Sequence, residues 1–96
     1  MQINGASYVA EFIGTFFFIL AIFASGGNPV VIGLLLAVVV FLTDALSGGH
    51  INPAVSFAMF LNGSLTVPEL VSYICAQLLG GASAFYTYKS ITVPKN

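Results

Sequence analysis

The chain has 96 residues, 58% of them hydrophobic, and its few charges are two lysines and three acidic residues, which give a net charge of −1. A water-soluble domain of this size needs a polar surface that such a composition does not supply, and no basic patch is present to bind nucleic acid. The composition predicts an integral membrane protein in a lipid bilayer, and a single cysteine excludes a disulfide framework.

Two long apolar runs occupy the first half of the sequence. Residues 8–25, YVAEFIGTFFFILAIFAS, are close to the minimum length for a helix that crosses a membrane. The sequence GGNP at 26–29 predicts a turn, and residues 30–46 form the second run. This second run is rich in β-branched residues, but a lone strand in lipid leaves its backbone unpaired. A helix is therefore predicted for both runs.

The next apolar run is too short to cross a bilayer. Residues 53–61 would form a helix of about 14 Å, roughly half of the hydrocarbon core. A last run at 67–88 is long enough to cross, with Thr66 as its N-cap, and the polar tail KSITVPKN at 89–96 is expected to fray. The predicted fold class is an all-α membrane protein with three transmembrane helices and one re-entrant half-helix, in a single domain over residues 1–96.

The polar stretch SGGHINPAVS at 47–56 leads into the short helix. Pro53 suits the first turn of a helix, and Asn52 is then at its N-cap. If this helix re-enters the membrane, its free amides and the positive end of its dipole face the middle of the bilayer. The Asn52 side-chain NH₂ can then donate to a passing oxygen, and preceding backbone carbonyls can accept, which suits water or a small polyol. Those carbonyls belong to Gly48, Gly49, His50 and Ile51.

These residues resemble the first half of the aquaporins, the major intrinsic protein family. SGGHINPAVS resembles the first signature loop of that family, AEFIGTFFFIL its opening helix, and YICAQLLGGASAF its third helix, in matching order and spacing. The resemblance implies an aqueous pore for water or small neutral solutes, with no cofactor. It implies that Asn52 donates to the solute and that four preceding residues supply carbonyls to one wall: Gly48, Gly49, His50 and Ile51.

The same resemblance implies roles for residues away from the pore lining. Pro53 and Ala54 would form the junction between two half-helices. Glu11 would be a buried acceptor that steadies the signature loop, and Gln77 a second structural polar group. From the residues alone, an acceptor of backbone donors is also the favoured interpretation of an intramembrane acid such as Glu11, ahead of a proton relay.

The sequence departs from the family pattern in two respects. Family members carry two such halves in opposite orientation, and three spans with one half-helix do not surround a pore. We therefore expect a homo-oligomer, with an inverted pair as one arrangement, or a second half-channel chain. Val55 occupies the position at which the second motif of the family has a filter arginine. The alternative function is a non-conducting structural subunit of a larger membrane complex.

Two more polar residues leave alternatives open. His50 could ligate a metal, but no second ligand accompanies it at a useful spacing, so no metal site is expected and a loop-bracing or pore-mouth role is favoured. Asp44 is interpreted as a solvated acid near a helix end rather than as a gate. No nucleophile and base are suitably paired, which argues against an enzyme.

Overall fold

The structure, a computed structural model, describes residues 1–92, which form four α-helices. Their bounds are α1 (Gly5–Ala24), α2 (Pro29–Ser47), α3 (Pro53–Leu61) and α4 (Val67–Ile91). α1, α2 and α4 are each long and apolar enough to cross a membrane, and no strand forms within the described residues. The predicted all-α fold class, with three spans and one short helix, is confirmed.

Side-chain caps set where the helices begin. Asn4 accepts a hydrogen bond from the Ala6 amide at 2.9 Å and forms a capping box with Ser7, so α1 starts three residues before the apolar run. Thr66 caps α4, and its own amide donates to the Glu69 carboxylate at 2.8 Å. The cap at Asn4 therefore lengthens α1 beyond its apolar run, whereas α4 begins at Val67, where the sequence predicts it.

α4 also extends further than the sequence predicts. It continues through Ile91, so the expectation of a frayed tail from position 89 is wrong for its first three residues. The Ser90 hydroxyl donates to the Tyr86 carbonyl at 2.8 Å, and this local hydrogen bond is compatible with a continuing helix. Residues 93–96, which include Lys95, lie outside the described residues.

α2 runs antiparallel to α1. The Ser7 hydroxyl, in the first turn of α1, donates to the Leu46 carbonyl at 2.6 Å, in the last turn of α2. Further along both helices, Val39 and Thr43 lie beside Gly14. The end of α2 is consequently at the same end of the bundle as the start of α1.

α4 runs parallel to α1. The ring of Tyr8 meets the ring of Tyr73 edge-on with centroids 5.8 Å apart, near the beginning of both helices. Near their far ends, the rings of Phe23 and Phe85 lie 5.7 Å apart. α3 packs against α4. Segment 48–66 therefore leaves α2 and enters α4 at the same end of the bundle.

The close packing of α1 against α4 depends on Gly80, and a matched pair of variants tests it. A Cβ at position 80 would lie 2.5 Å from the Phe12 carbonyl oxygen and 3.2 Å from the Phe16 amide nitrogen. Because both contacts are backbone, Gly80→Ala is expected to lower the free energy of unfolding by about 1–3 kcal/mol, measured by thermal unfolding in detergent. At Gly81 the nearest contact would be Ile19 Cγ1 at 3.7 Å, so Gly81→Ala should cost nothing. Equal losses would contradict this interpretation of the helix contact.

Polar side chains share the interior of the bundle with apolar ones, half of which are alanines, whereas large apolar side chains cover much of its outside. Phe41 is 82% exposed on α2, and Leu78 is 62% exposed on α4. The buried polar and charged side chains are Ser7, Glu11, Thr15, Thr43, Ser47, His50, Ser56 and Gln77. An apolar exterior suits lipid, and the buried polar groups have to bond to one another. Asp44 is exposed near the end of α2, as the interpretation of a solvated acid requires.

Candidate functional site

The loop of residues 48–52 turns from one end of the bundle into its middle. It leaves α2 beside the first turns of α1, and by Asn52 it shares a groove with Thr15 and Gln77, which lie near the middle of α1 and α4. α3 then leads back, and residues 62–66 connect it to α4. The start of α3 is thus deep in the bundle, while both connections of this segment are at one end.

Two glycines permit this turn. Gly48 has a φ of 83° and forms the left-handed C-cap of α2, with its amide donating to the Asp44 carbonyl at 2.9 Å. Gly49 has a φ of 63°, and a Cβ there would lie only 3.0 Å from the Val40 carbonyl oxygen. The left-handed backbone at both positions favours glycine, and position 49 also has no space for a side chain.

Glu11 anchors the loop through hydrogen bonds from four donors. Its side chain is fully buried. Oε2 accepts from Ser47 Oγ at 2.6 Å and from the His50 amide at 3.0 Å, while Oε1 accepts from the Ile51 amide and Gln77 Nε2, both at 2.8 Å. Backbone amides and a side-chain NH₂ can only donate, so these partners match an ionised carboxylate with all its acceptor positions filled. One buried anion thus connects the loop to α1, α2 and α4.

A second set of hydrogen bonds joins the loop to α3 and α4. His50 Nδ1 lies 2.9 Å from Ser56 Oγ, which is itself 2.8 Å from Gln77 Nε2. A serine hydroxyl has one donor and two acceptor positions, so Ser56 accepts from Gln77 and can also bond to His50 Nδ1 in either tautomer of the imidazole. The His50 ring also packs on Tyr73, with centroids 4.9 Å apart. These contacts hold the imidazole inside the bundle.

Three residues of this network were not singled out from the sequence: Ser47, Ser56 and Tyr73. The Tyr73 hydroxyl donates to the Ser47 carbonyl at 2.7 Å, so the end of α2 is bonded to α4 as well as to Glu11. A helical-face argument offers a partial signal, because Tyr73 lies four residues before Gln77 and so on the same face. Ser56 could not be identified in this way, because a single serine in a nine-residue apolar helix does not indicate which face of the helix is buried.

Asn52 opens onto a groove of about 420 Å³ between α1 and α4. Its Oδ1 accepts from the Ala54 amide at 2.8 Å, and its Nδ2 group has no hydrogen-bond acceptor within residues 1–92. None of the residues that line the groove is charged, and its polar members are Thr15, Asn52 and Gln77. Thr15 Oγ1 and Gln77 Oε1 are buried and have no hydrogen-bond partner within residues 1–92. The groove is therefore small, mostly apolar and uncharged, with a free amide donor at its side.

The structure brings some of the expected site residues into this groove and leaves others outside it. Ile51, Asn52 and Pro53 line it together with Gln77. The other members of the expected carbonyl row do not line it, although they belong to the described part of the chain: Gly48, Gly49 and His50. Ala54 does not line the groove either and is exposed on α3, directly after Pro53.

The sequence profile of the family described as Major intrinsic protein matches residues 4–96. The chain belongs to the major intrinsic protein family. This agrees with the resemblance carried by the signature loop and by the first and last spans.

Individual members of the major intrinsic protein family are similar over most of this chain. The glycerol uptake facilitator protein-like 6 of Lactiplantibacillus plantarum is 33% identical over 91 residues, covering 86% of this chain and 42% of the relative. Aquaporin TIP2-1 of Arabidopsis thaliana is 35% identical over 107 residues, covering 90% and 42%. The lens fiber major intrinsic protein of Lithobates pipiens is 40% identical over 91 residues, covering 80% and 35%. The chain spans about two fifths of the length of these curated relatives.

Membership of the major intrinsic protein family and three helices able to span a membrane place this protein in a membrane as an integral protein. The composition predicted this location, and the exposed apolar faces of the three long helices account for it physically.

Proposed function

We propose that this chain is one half of a membrane channel for water or small neutral solutes, and that the groove beside Asn52 is half of its pore. The observation that carries the proposal is the free Asn52 Nδ2 donor in an uncharged groove at mid-height of α1 and α4. A few hydrogen-bonding groups on an otherwise apolar wall let a small polar molecule pass without holding it.

The proposal takes α3 as a helix that enters the membrane and returns to the same face. Thr15, which shares the groove with Asn52, lies ten residues along α1 from Gly5, a distance of about 15 Å. The nine residues of α3 span about 14 Å, roughly half of the hydrocarbon core. Its N-terminal amides therefore lie near mid-depth, where the positive end of the helix dipole disfavours cations.

A second half has to close the pore, and we assign that role to another copy of this chain in inverted orientation. The groove is open along one side, and α3 buries only Ser56 while leaving Phe57 and Leu61 exposed. Backbone and apolar side chains at membrane depth need cover from protein or lipid. An inverted copy would cover the groove, bring its own Asn52 opposite the first, and place Pro53 and Ala54 of both copies at the junction.

Osmotic shrinkage of reconstituted vesicles tests channel activity. Vesicles that contain the protein are expected to shrink faster than protein-free vesicles of equal size, in stopped-flow light scattering after an osmotic step. Glycerol should be compared with water as the solute, because the relatives include proteins named as aquaporins and one named as a glycerol uptake facilitator. No increase in the rate, at verified insertion, would contradict the proposed conduction.

Purification in mild detergent tests the proposed partner. A homo-oligomer with an even number of copies supports the inverted pair. A stoichiometric partner that supplies the second half-channel supports conduction but contradicts pairing of identical copies. An unrelated stoichiometric partner, together with impermeable vesicles, would instead support a non-conducting structural subunit.

A further inference from the structure

Ile51 adopts a backbone conformation that its own side chain disfavours. Its φ is 60°, and it is the one non-glycine residue with a positive φ within residues 1–92. A β-branched side chain in the left-handed region is a genuine steric outlier. Such a backbone conformation persists only where the surrounding structure holds it. The contacts of Ile51 therefore have to stabilise the left-handed conformation by more than its steric strain costs.

Those contacts are made on both sides of the residue. The Ile51 amide donates to Glu11 Oε1 at 2.8 Å, and the side chain is only 2% exposed. Its Cδ1 atom occupies the space above Gly14, where a Cβ would come within 2.6 Å of it. Val39 Cγ1 and Thr43 Cγ2 border the same space, at 3.0 and 3.4 Å from that Cβ position. We refer to this space, bounded by Gly14, Val39 and Thr43, as the Gly14 notch.

From this geometry we infer that Ile51 is a positioning residue for the proposed channel. Its side chain, seated in the Gly14 notch, holds the loop in the conformation that presents Asn52 to the groove. Ile51 directly precedes Asn52, so its φ and ψ set the direction in which the Asn52 backbone leaves the loop. Without the seated side chain, the strained backbone would relax and Asn52 would turn away from the groove. The permeability measurement of this inference rests on the proposed function, whereas the loop conformation can be measured without it.

Three variants separate this role from simple packing. Gly14→Ala puts a methyl carbon only 2.6 Å from Ile51 Cδ1, so the side chain has to leave the notch. Permeability should then fall about tenfold, which corresponds to a shift of about ten to one toward the loop conformer that does not conduct. Ile51→Val removes Cδ1 and should give a smaller loss. The double variant, Gly14→Ala with Ile51→Val, should recover most of the permeability, since the new methyl group fills the vacated space.

Hydrogen exchange of the His50 and Ile51 amides provides a readout that needs no conduction. Both amides donate to Glu11, so they should exchange faster in Gly14→Ala and return toward the wild-type rate in the double variant. Ala84→Gly is the packing control. Ala84 is fully buried on α4 and belongs neither to the Gly14 notch nor to the groove, so this change should lower stability without changing either loop readout.

Two results would overturn the inference: wild-type amide exchange in a folded Gly14→Ala protein, or a double variant no better than Gly14→Ala alone. If Gly14→Ala does not fold, Ile51→Val by itself decides, since unchanged exchange at both amides would dismiss the positioning role. If even the wild-type protein leaves vesicle shrinkage unchanged, the proposed channel fails, and the exchange measurements still determine whether Ile51 positions the loop.

Discussion

Glu11→Gln is expected to lower the free energy of unfolding by about 3 kcal/mol or more, since several charge-assisted hydrogen bonds are lost in a buried site. Total stabilities of small domains are about 5–15 kcal/mol, so a loss of this size removes a large share of the fold. Thermal unfolding in detergent, followed by the helical circular dichroism signal, measures it. Vesicles with the variant should shrink no faster than protein-free vesicles.

The size of this effect follows from the geometry around the carboxylate. Glutamine presents an NH₂ group in place of one oxygen, and that group would face two donors. Near Oε2, Ser47 can turn its hydroxyl toward the Thr43 carbonyl, 3.3 Å away. Near Oε1, the amide of Gln77 can flip. The backbone N–H of His50 or of Ile51 has no such freedom, so one buried amide stays unpaired whichever way the new side chain is placed.

Glu69→Gln is the matched control for this change. Glu69 is a partly exposed acid at the start of α4, where Oε1 accepts from the Thr66 amide at 2.8 Å. Glutamine serves in a capping box as well as glutamate does, so the expected change is within about 0.5 kcal/mol. Equal losses in the two variants would show that removing any negative charge weakens the fold, and would contradict the role assigned to Glu11.

Asn52→Asp is expected to reduce osmotic permeability by about tenfold while leaving the fold intact. A tenfold loss corresponds to one lost hydrogen bond of about 1.4 kcal/mol. Aspartate keeps the cap, because its oxygen can accept from the Ala54 amide as Asn52 Oδ1 does. It replaces the free Nδ2 donor by a second acceptor with negative charge. Passing water then loses a donor, and cations gain a binding site in a groove that is otherwise uncharged.

Stopped-flow shrinkage and a cation-flux assay on the same vesicles measure both consequences. Asn28→Asp supplies the control, because Asn28 is also an N-cap asparagine and accepts from the amides of Val30 and Val31, but it is exposed at the start of α2. This control should leave permeability unchanged. Wild-type permeability in a folded Asn52→Asp protein would mean that the groove beside Asn52 is not the solute path.

Much of the fold was predictable from residue order. Apolar runs of sufficient length form helices in lipid, because a helix is the one conformation in which an isolated segment pairs its own backbone N–H and C=O groups there. The Asn–Pro pair at 52–53 marks the start of α3, because proline lacks the amide that a first turn cannot pair and asparagine supplies a cap. The ends of α1 and α4 were less predictable. The capping box of Asn4 and Ser7 starts α1 before its apolar run, and α4 continues past its apolar run through Ile91, and hydropathy registers neither feature.

The composition and the signature loop by themselves determined that this is an all-helical membrane protein of the major intrinsic protein family, with Asn52 at a helix start. The tertiary structure alone decided which groups meet. Glu11 collects donors from segments as far away as Gln77, and Ile51 lies over Gly14 in a left-handed conformation. These pairings depend on the directions and close approach of α1, α2 and α4, which bring residues dozens of positions apart within hydrogen-bonding distance. Local sequence patterns carry no information on such separations, because helix periodicity relates neighbours on one helix only.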